Sequence, residues 1–353
     1  MFGINFDALP LALNGALFVA GAVVVWIAGT KLALYADALA ERTGIGRAFL
    51  GMVLLAGVTE LPECVTSISA VWVGDAPLAV NNLFGGIVMQ TAILAIADMF
   101  LNHDSLSYFT PKPELLLQGI LLVVLLAIVL AGVSVGEVFV VAGVGAWTLS
   151  IFVLYLFAIW MVAHFEAGKS WRPVDLPDSL KSGDGIERGA KHETQSPKRL
   201  WMALCLIGFL ILVSGSLLAA TSAAIATQTG LGSSFIGATL LAATTSLPEL
   251  STTLGAVKLR AYSMAFGNIF GSNAIMLALL FLTDIVHTDG PILAMVDRSA
   301  AFAAAVGIAV TGIYLVGLVM RRQVTVFRMG IDSFAVLILY LVSLVGLYVL
   351  RGG

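Results

Sequence analysis

Leu54–Glu63 reads LLAGVTELPE and Leu240–Glu249 reads LLAATTSLPE. Working outward, the match runs without a gap from Thr43 to Asp98 in one copy and from Thr229 to Asp284 in the other, each residue n standing opposite n + 186. TGIGRAFLG (Thr43–Gly51) pairs with TGLGSSFIG (Thr229–Gly237), and NLFGG (Asn82–Gly86) with NIFGS (Asn268–Ser272). Shared apolar composition repeats Leu, Ala and Val by chance. It does not place Pro-Glu, Asn-x-Phe-Gly and an Asp in one register.

Around the two copies the chain is apolar. It has 353 residues, 59% hydrophobic and 11% charged, with a mean hydropathy of +1.02. Soluble domains carry about 25% charged residues, so no soluble fold of this size could hide so much apolar surface. Runs such as Leu115–Ala131, Phe139–Val162, Leu200–Ala220 and Phe334–Leu350 reach or approach the ~20 residues that cross a bilayer as a helix. We expect an all-α membrane protein with ten spans, near 12–36, 47–73, 77–100, 113–133, 136–164, 200–225, 234–257, 262–286, 291–320 and 331–350. Basic residues cluster in alternate loops: Arg42 and Arg47; Lys112; seven from Lys169 to Arg199; Lys258 and Arg260; Arg321, Arg322 and Arg328. The opposite loops hold little beyond Arg298 and Arg351. The positive-inside rule then puts both termini outside and the central loop in the cytoplasm. The net charge of −3 is nearly neutral and there is no basic block for nucleic acid. Cys64 and Cys205 lie in apolar segments, so no disulfide framework is expected. The N-terminal segment lacks a basic region, so the first apolar stretch reads as a retained span.

Five spans separate the two copies, so they begin after helices of opposite direction. The expected architecture is two inverted five-helix repeats, residues 1–165 and 200–353, joined by a flexible cytoplasmic linker at 166–199 rich in Ser, Asp, Lys, Gly and Pro. Secondary transporters built this way hold their site at the repeat interface near the midplane.

Pro62 and Pro248 fall inside spans. Each lacks an N–H and frees the carbonyl four residues earlier, at Val58 and Thr244, which is tolerated at membrane depth only where protein, water or an ion satisfies it. Around them stand Thr59, Glu60 and Glu63 in one copy, Thr245, Ser246 and Glu249 in the other. Carboxylates, hydroxyls and open carbonyls are hard oxygen donors, and Ca²⁺ takes six to eight of them. A charge at mid-bilayer costs at least ~2.5–3.5 kcal/mol, which marks an intramembrane Glu as functional. The bland reading is a kinked helix whose Glu snorkels, and it does not explain a symmetric pair. The glycines of Asn81–Gly86 and Gly267–Ser272 suit close helix packing. The amides do not follow from packing, so Asn82, Asn268, Ser272 and Asn273 read as polar groups that support or complete an ion site.

With these residues in view, the sequence resembles the cation/calcium exchanger superfamily, best known for sodium/calcium exchangers. That family pairs a motif like A-x-x-T-S-x-P-E with G-N-x-x-G-S-N. The second copy matches in Ala242, Thr245, Ser246, Pro248 and Glu249, then Gly267, Asn268, Gly271, Ser272 and Asn273; the first in Ala56, Thr59, Pro62, Glu63, Asn82 and Gly85. The resemblance implies alternating access, with the first and sixth helices sliding against the rest. It implies Glu63 and Glu249 as carboxylates shared between Ca²⁺ and its counter-ions. Thr59 and Thr245 would add backbone and hydroxyl oxygens, Ala56 and Ala242 carbonyls. Ser246 and Ser272 would form an outer Na⁺ site with Ala242, Thr245 and Glu63.

The first copy departs from the family pattern. Glu60 occupies a Ser position, Gly86 and Ile87 replace Ser-Asn, and Gln90 and Met276 stand where the family has Asn or Asp. Glu60 precedes Glu63 by three residues, so both can share a helix face. Three carboxylates crowded in a low-dielectric site cannot all stay ionised without cations, so we expect Glu60 to bind a proton during part of a cycle. Met276, Met89 and Cys64 would permit a softer divalent ion. The expected activity is antiport of a divalent cation, Ca²⁺ foremost, against Na⁺ and/or H⁺ across the cell membrane. No resident cofactor is expected, and the partners are the lipid bilayer and the transported cations, the chain being a monomer or weak homo-oligomer. The competing readings are a non-transporting sensor of the same fold, an exchanger for another divalent metal, and a channel. Enzyme chemistry has no support, since His103, His164, His192 and His287 lie at helix ends or in loops without metal-ligand spacing.

Overall fold

The computed structural model of the chain describes residues 5–43, 47–72, 76–101, 105–110, 112–141, 143–168, 196–229, 243, 245–296 and 298–350. Among these described residues, the regular structure is helical apart from two short hairpins. The helices are α1 (Leu11–Thr43), α2 (Arg47–Leu50), a π-helix (Gly51–Leu55), α3 (Ala56–Thr59), α4 (Leu61–Trp72), α5 (Ala76–Asp98), α6 (Pro113–Val135), α7 (Ala146–Gly168), α8 (Pro197–Thr229), α9 (Leu247–Lys258), α10 (Tyr262–Val286), α11 (Arg298–Met320) and α12 (Ile331–Leu350). In hydrocarbon each backbone polar group must be bonded within the segment, which is why long apolar runs become helices. Among the described residues, eight helices are long and apolar enough to cross a membrane, and the pair Arg47–Thr59 and Leu61–Trp72, bent by 45°, makes a ninth. The expected span 234–257 begins in residues outside those described. α1 and α8 run 33 residues each, about 50 Å at 1.5 Å per residue. That exceeds a ~30 Å hydrocarbon core, so they must tilt or protrude.

Two expected starts need correction. The fifth span does not begin at 136: Gly136 takes φ +79°, β1 (Val140–Val141) pairs antiparallel with β2 (Val144–Gly145), and helix resumes at Ala146. The ninth does not begin at 291: Pro291 leads into a 3₁₀ turn at Ile292–Met295, and α11 starts at Arg298. Apolar strand, turn and helix share one hydropathy, so these interruptions were hidden in the run. A second hairpin, β3 (Thr325–Val326) with β4 (Met329–Gly330), precedes α12. Phe327 and Arg328 turn it at φ 51° and 69°, the left-handed pair that a two-residue hairpin requires.

α5 and α10 cross at the centre and are the most enclosed spans. α6, α7, α11 and α12 pack around them, while α1 lies chiefly along α8 and α9. Gly51, Gly267 and Gly271 let the α2–π segment sit directly on α10. A Cβ on Gly267 would fall 2.3 Å from the Ala48 carbonyl oxygen, and one on Gly271 2.5 Å from that of Met52.

Two buried aspartates fasten this frame. Asp98 Oδ1 accepts the Leu106 N–H at 2.7 Å and Oδ2 the Gly330 N–H at 2.7 Å. Asp284 Oδ1 accepts the Ile292 N–H at 2.7 Å and Oδ2 the Gly145 N–H at 2.8 Å, with the Thr148 hydroxyl. Each carboxylate thus binds the loop after its own helix and a hairpin from the other half of the chain.

Candidate ion site

The break expected near Pro62 falls at Glu60, with φ −78° and ψ −4° between α3 and α4. Its counterpart Ser246 has φ −81° and ψ 3° before α9. Helix restarts one residue later in both cases. Proline therefore sits in the first turn, where its missing N–H costs nothing. Glu63 and Glu249 also fall in the first turn, where the positive end of the helix dipole favours a carboxylate by about 0.3–1 kcal/mol. The π-helix just before α3 widens the backbone on the approach to the break, a distortion common at functional sites.

The carboxylates cross between halves. Glu63 interacts with Glu249 and Glu60, and lies beside the Thr245 hydroxyl. Glu249 interacts with Glu60 and lies beside Thr59. Ala56, Thr59, Glu60, Glu63, Gln90, Thr245, Ser246, Glu249, Asn268 and Ser272 are each at most 2% exposed. Among the described residues, both oxygens of Glu63, both of Glu249, Glu60 Oε2, Gln90 Oε1 and Ser272 Oγ have no hydrogen-bond partner. A buried polar group left unsatisfied costs about 1–3 kcal/mol and more when charged. A cluster of such oxygens is a surface shaped for cations. Thr59 Oγ1 donates to the Ala56 carbonyl at 3.3 Å. Ala242 lies outside the described residues.

The remaining candidates sort differently. Gln90 Nε2 donates to Glu60 Oε1 at 2.6 Å, and Ser272 lies alongside the same carboxylate. Glu60 also interacts with Glu63 and Glu249, so the three carboxylates are neighbours. Asn268 Nδ2 donates to Thr252 and Thr253 at 3.0 and 3.1 Å, pinning the helix that carries Glu249, while its Oδ1 is buried and has no hydrogen-bond partner among the described residues. In the other half Asn82 Nδ2 and Ser67 Oγ are both unpartnered among the described residues, so the equivalent brace is not formed there. Asn273 ties α10 to α5 through Thr91 Oγ1 at 2.8 Å.

Two supports went unnoticed in the sequence. Gly29 faces the Pro248 helix, where a Cβ would lie 1.8 Å from Ser251 Oγ, and Gly215 faces Pro62, where a Cβ would lie 2.5 Å from Cγ. They stand at n and n + 186 but outside the aligned block. That spacing was their only signal.

Comparison with known proteins identifies the family. Two stretches of the chain, residues 13–165 and 199–349, match the model of the family described as sodium/calcium exchanger protein. CaxA of Alkalimonas amylolytica, which carries a provisional antiporter name, is 29% identical over 283 residues, 79% of this chain and 81% of its own. The inner membrane protein YrbG of Escherichia coli (strain K12) is 24% identical over 283 residues, 80% and 82% of the two chains. The sodium-calcium exchanger NCX_Mj, soaked with 2.5 mM Na⁺ and 0.1 mM Sr²⁺, superposes with a TM-score of 0.70 at 17% identity, covering 95% of this chain and 99% of that one. At that identity the likeness speaks for the fold. With a family model spanning most of its length, this integral membrane protein belongs to the sodium/calcium exchanger family of cation antiporters.

Proposed function

We propose that the chain exchanges a divalent cation, Ca²⁺ by the chemistry of its donors, for Na⁺ and/or H⁺ by alternating access. The observation that carries this reading is the pair Glu63 and Glu249: buried, drawn from opposite halves, and with all four oxygens unpartnered among the described residues. Two carboxylates balance one divalent charge, and Thr59, Thr245 and the Ala56 and Ala242 carbonyls complete a hard oxygen set. Ser246 and Ser272 extend it toward a counter-ion. The glycine contacts of α1 and α8 with the two Pro-Glu helices support these long helices as the sliding element.

The ten-helix inverted repeat is part of the same proposal. Its support is the two separate family matches, the equal backbone breaks at Glu60 and Ser246, and the reciprocal aspartate anchors. Both termini would lie outside and the 166–199 linker in the cytoplasm, with the cell membrane as the site of action.

Reconstituted flux tests the reading. Purified chain in vesicles should accumulate Ca²⁺ only when a Na⁺ or H⁺ gradient is imposed. Ca²⁺ entry without a counter-gradient would make it a channel; no movement of any divalent would make it a sensor of the same fold.

A further inference from the structure

The two hairpins are images of each other with different turns. Val140 pairs with Gly145 and Thr325 with Gly330, so residue n of the first hairpin stands opposite n + 185 of the second. In that register Ala142-Gly143 corresponds to Phe327-Arg328. Gly143 takes φ +88°, a region open to glycine because it has no Cβ. Phe327 and Arg328 take φ 51° and 69°, where a Cβ crowds the following carbonyl oxygen. Two-residue turns of this kind favour Asn-Gly. The second hairpin thus holds a bulky aromatic and a cation where the backbone favours neither.

Phe327 is 77% exposed. Its ring leans against Phe334 in the first turn of α12, with centroids 5.7 Å apart. Ile331, Ile338, Leu341 and Val345 are exposed on the same side of α12, recurring at helical spacing, which is the stripe that a span of this kind turns to lipid. Phe327 extends that stripe past the end of the helix, to the depth where headgroups begin. Arg322 and Arg328 are exposed beside it. An aromatic ring suits the acyl boundary, and guanidinium groups suit phosphate. Residues 321–330 hold three arginines and no acid, which favours a headgroup of net negative charge over a zwitterionic one. The first hairpin also exposes apolar side chains, from Val138 to Val141. Between Val135 and Trp147, however, it has no basic residue and one acid, Glu137. The positive-inside rule accounts for arginines in the second hairpin. It does not account for an exposed phenylalanine or for the strained turn that presents it.

We propose that the second hairpin is a docking surface for an anionic phospholipid, with Phe327 at the acyl boundary and Arg322 and Arg328 on the headgroup phosphate, and that the first hairpin lacks this function. Asp98 Oδ2 holds the Gly330 N–H, so the docking surface is fastened to the end of α5. The proposal needs the chain to lie in a membrane and is independent of the transport reading.

Binding of dioleoylphosphatidylglycerol and of dioleoylphosphatidylcholine to the purified full-length chain in detergent tests it. Wild type should bind the phosphatidylglycerol more tightly, and the preference should shrink at high salt. Arg322→Gln combined with Arg328→Gln should weaken phosphatidylglycerol roughly thirtyfold, about fivefold for each basic side chain lost at an anionic surface, and leave phosphatidylcholine unchanged. Phe327→Asn combined with Arg328→Gly gives the turn the residues its backbone favours. That chain should melt above wild type without lipid, yet bind phosphatidylglycerol at least about fivefold more weakly. Unchanged phosphatidylglycerol affinity in the double arginine variant overturns the proposal, by assigning the lipid to the other basic loops. Equal affinity of wild type for the two lipids overturns it as well. So does a Phe327→Asn, Arg328→Gly chain that melts below wild type, since the pair would then serve the fold. Flux enters none of these measurements, so failure of the transport reading would leave their outcome unchanged.

Discussion

Replacing Glu249 by Gln isolates the charge at the centre of the site. The side chain is fully buried, and neither oxygen has a hydrogen-bond partner among the described residues. The amide conserves volume, so packing should not change. Without cations, a buried carboxylate bears a desolvation penalty of several kcal/mol, and the start of α9 returns only about 0.3–1 kcal/mol. Glu249→Gln should therefore melt at or above the wild-type temperature in chelator. With Ca²⁺ the order reverses. Removing one partner of a buried charge pair costs about 3–5 kcal/mol, which weakens binding by roughly 10²-fold or more. At Ca²⁺ a hundredfold above its dissociation constant, wild type gains about 2.7 kcal/mol of stability. The variant would sit near its own dissociation constant and gain at most about 0.4 kcal/mol by the same relation. Thermal unfolding in detergent across a Ca²⁺ titration, paired with vesicle flux, reads both limbs. A variant that keeps the Ca²⁺-induced stabilisation and the flux would show that Glu249 is not a ligand. A variant that collapses in chelator would show that its charge is structural.

Further outcomes follow from the frame. Asp284→Ala releases the Ile292 and Gly145 N–H groups and should cost roughly 3–6 kcal/mol, two bonds to a charged acceptor; a loss under about 1 kcal/mol in unfolding would mean that water replaces the carboxylate. Gly271→Ala drives a Cβ to 2.5 and 2.6 Å from Met52 backbone atoms and should destabilise by about 1–3 kcal/mol. Gly57→Ala, in a helix with open space around it, should gain about 0.5–1 kcal/mol, and a loss in unfolding would indicate an unseen contact there. Cysteines placed at Asn5 and Ser182 should label from opposite faces of oriented vesicles, and labelling from the same face would refute the topology.

Much of this molecule is local physics and was readable before folding. Lipid forces apolar runs into helices. A proline inside an apolar run marks where a helix stops or restarts, because its missing N–H is tolerated only in a first turn, and a carboxylate in an apolar span is costly enough to demand a use. Pro62 with Glu63 and Pro248 with Glu249 therefore announced both the breaks and the acids. The register n + 186 tied them into a pair. The hairpins at 140–145 and 325–330 were not readable, because hydropathy does not distinguish a short apolar strand from helix. Nor were the aspartate anchors, whose partners stand 232 and 139 residues away.

Glu60 marks the boundary most clearly. Its charge, its spacing from Glu63 and its serine counterpart are facts of sequence. The i, i+3 spacing does bring Glu60 and Glu63 into interaction, although the helix bends at Glu60 itself. Only the packed structure places that carboxylate against Gln90 and Ser272. A hydrogen bond between helices depends on how α3, α5 and α10 cross, and that crossing is set by glycine contacts and buried anchors spread along the whole chain.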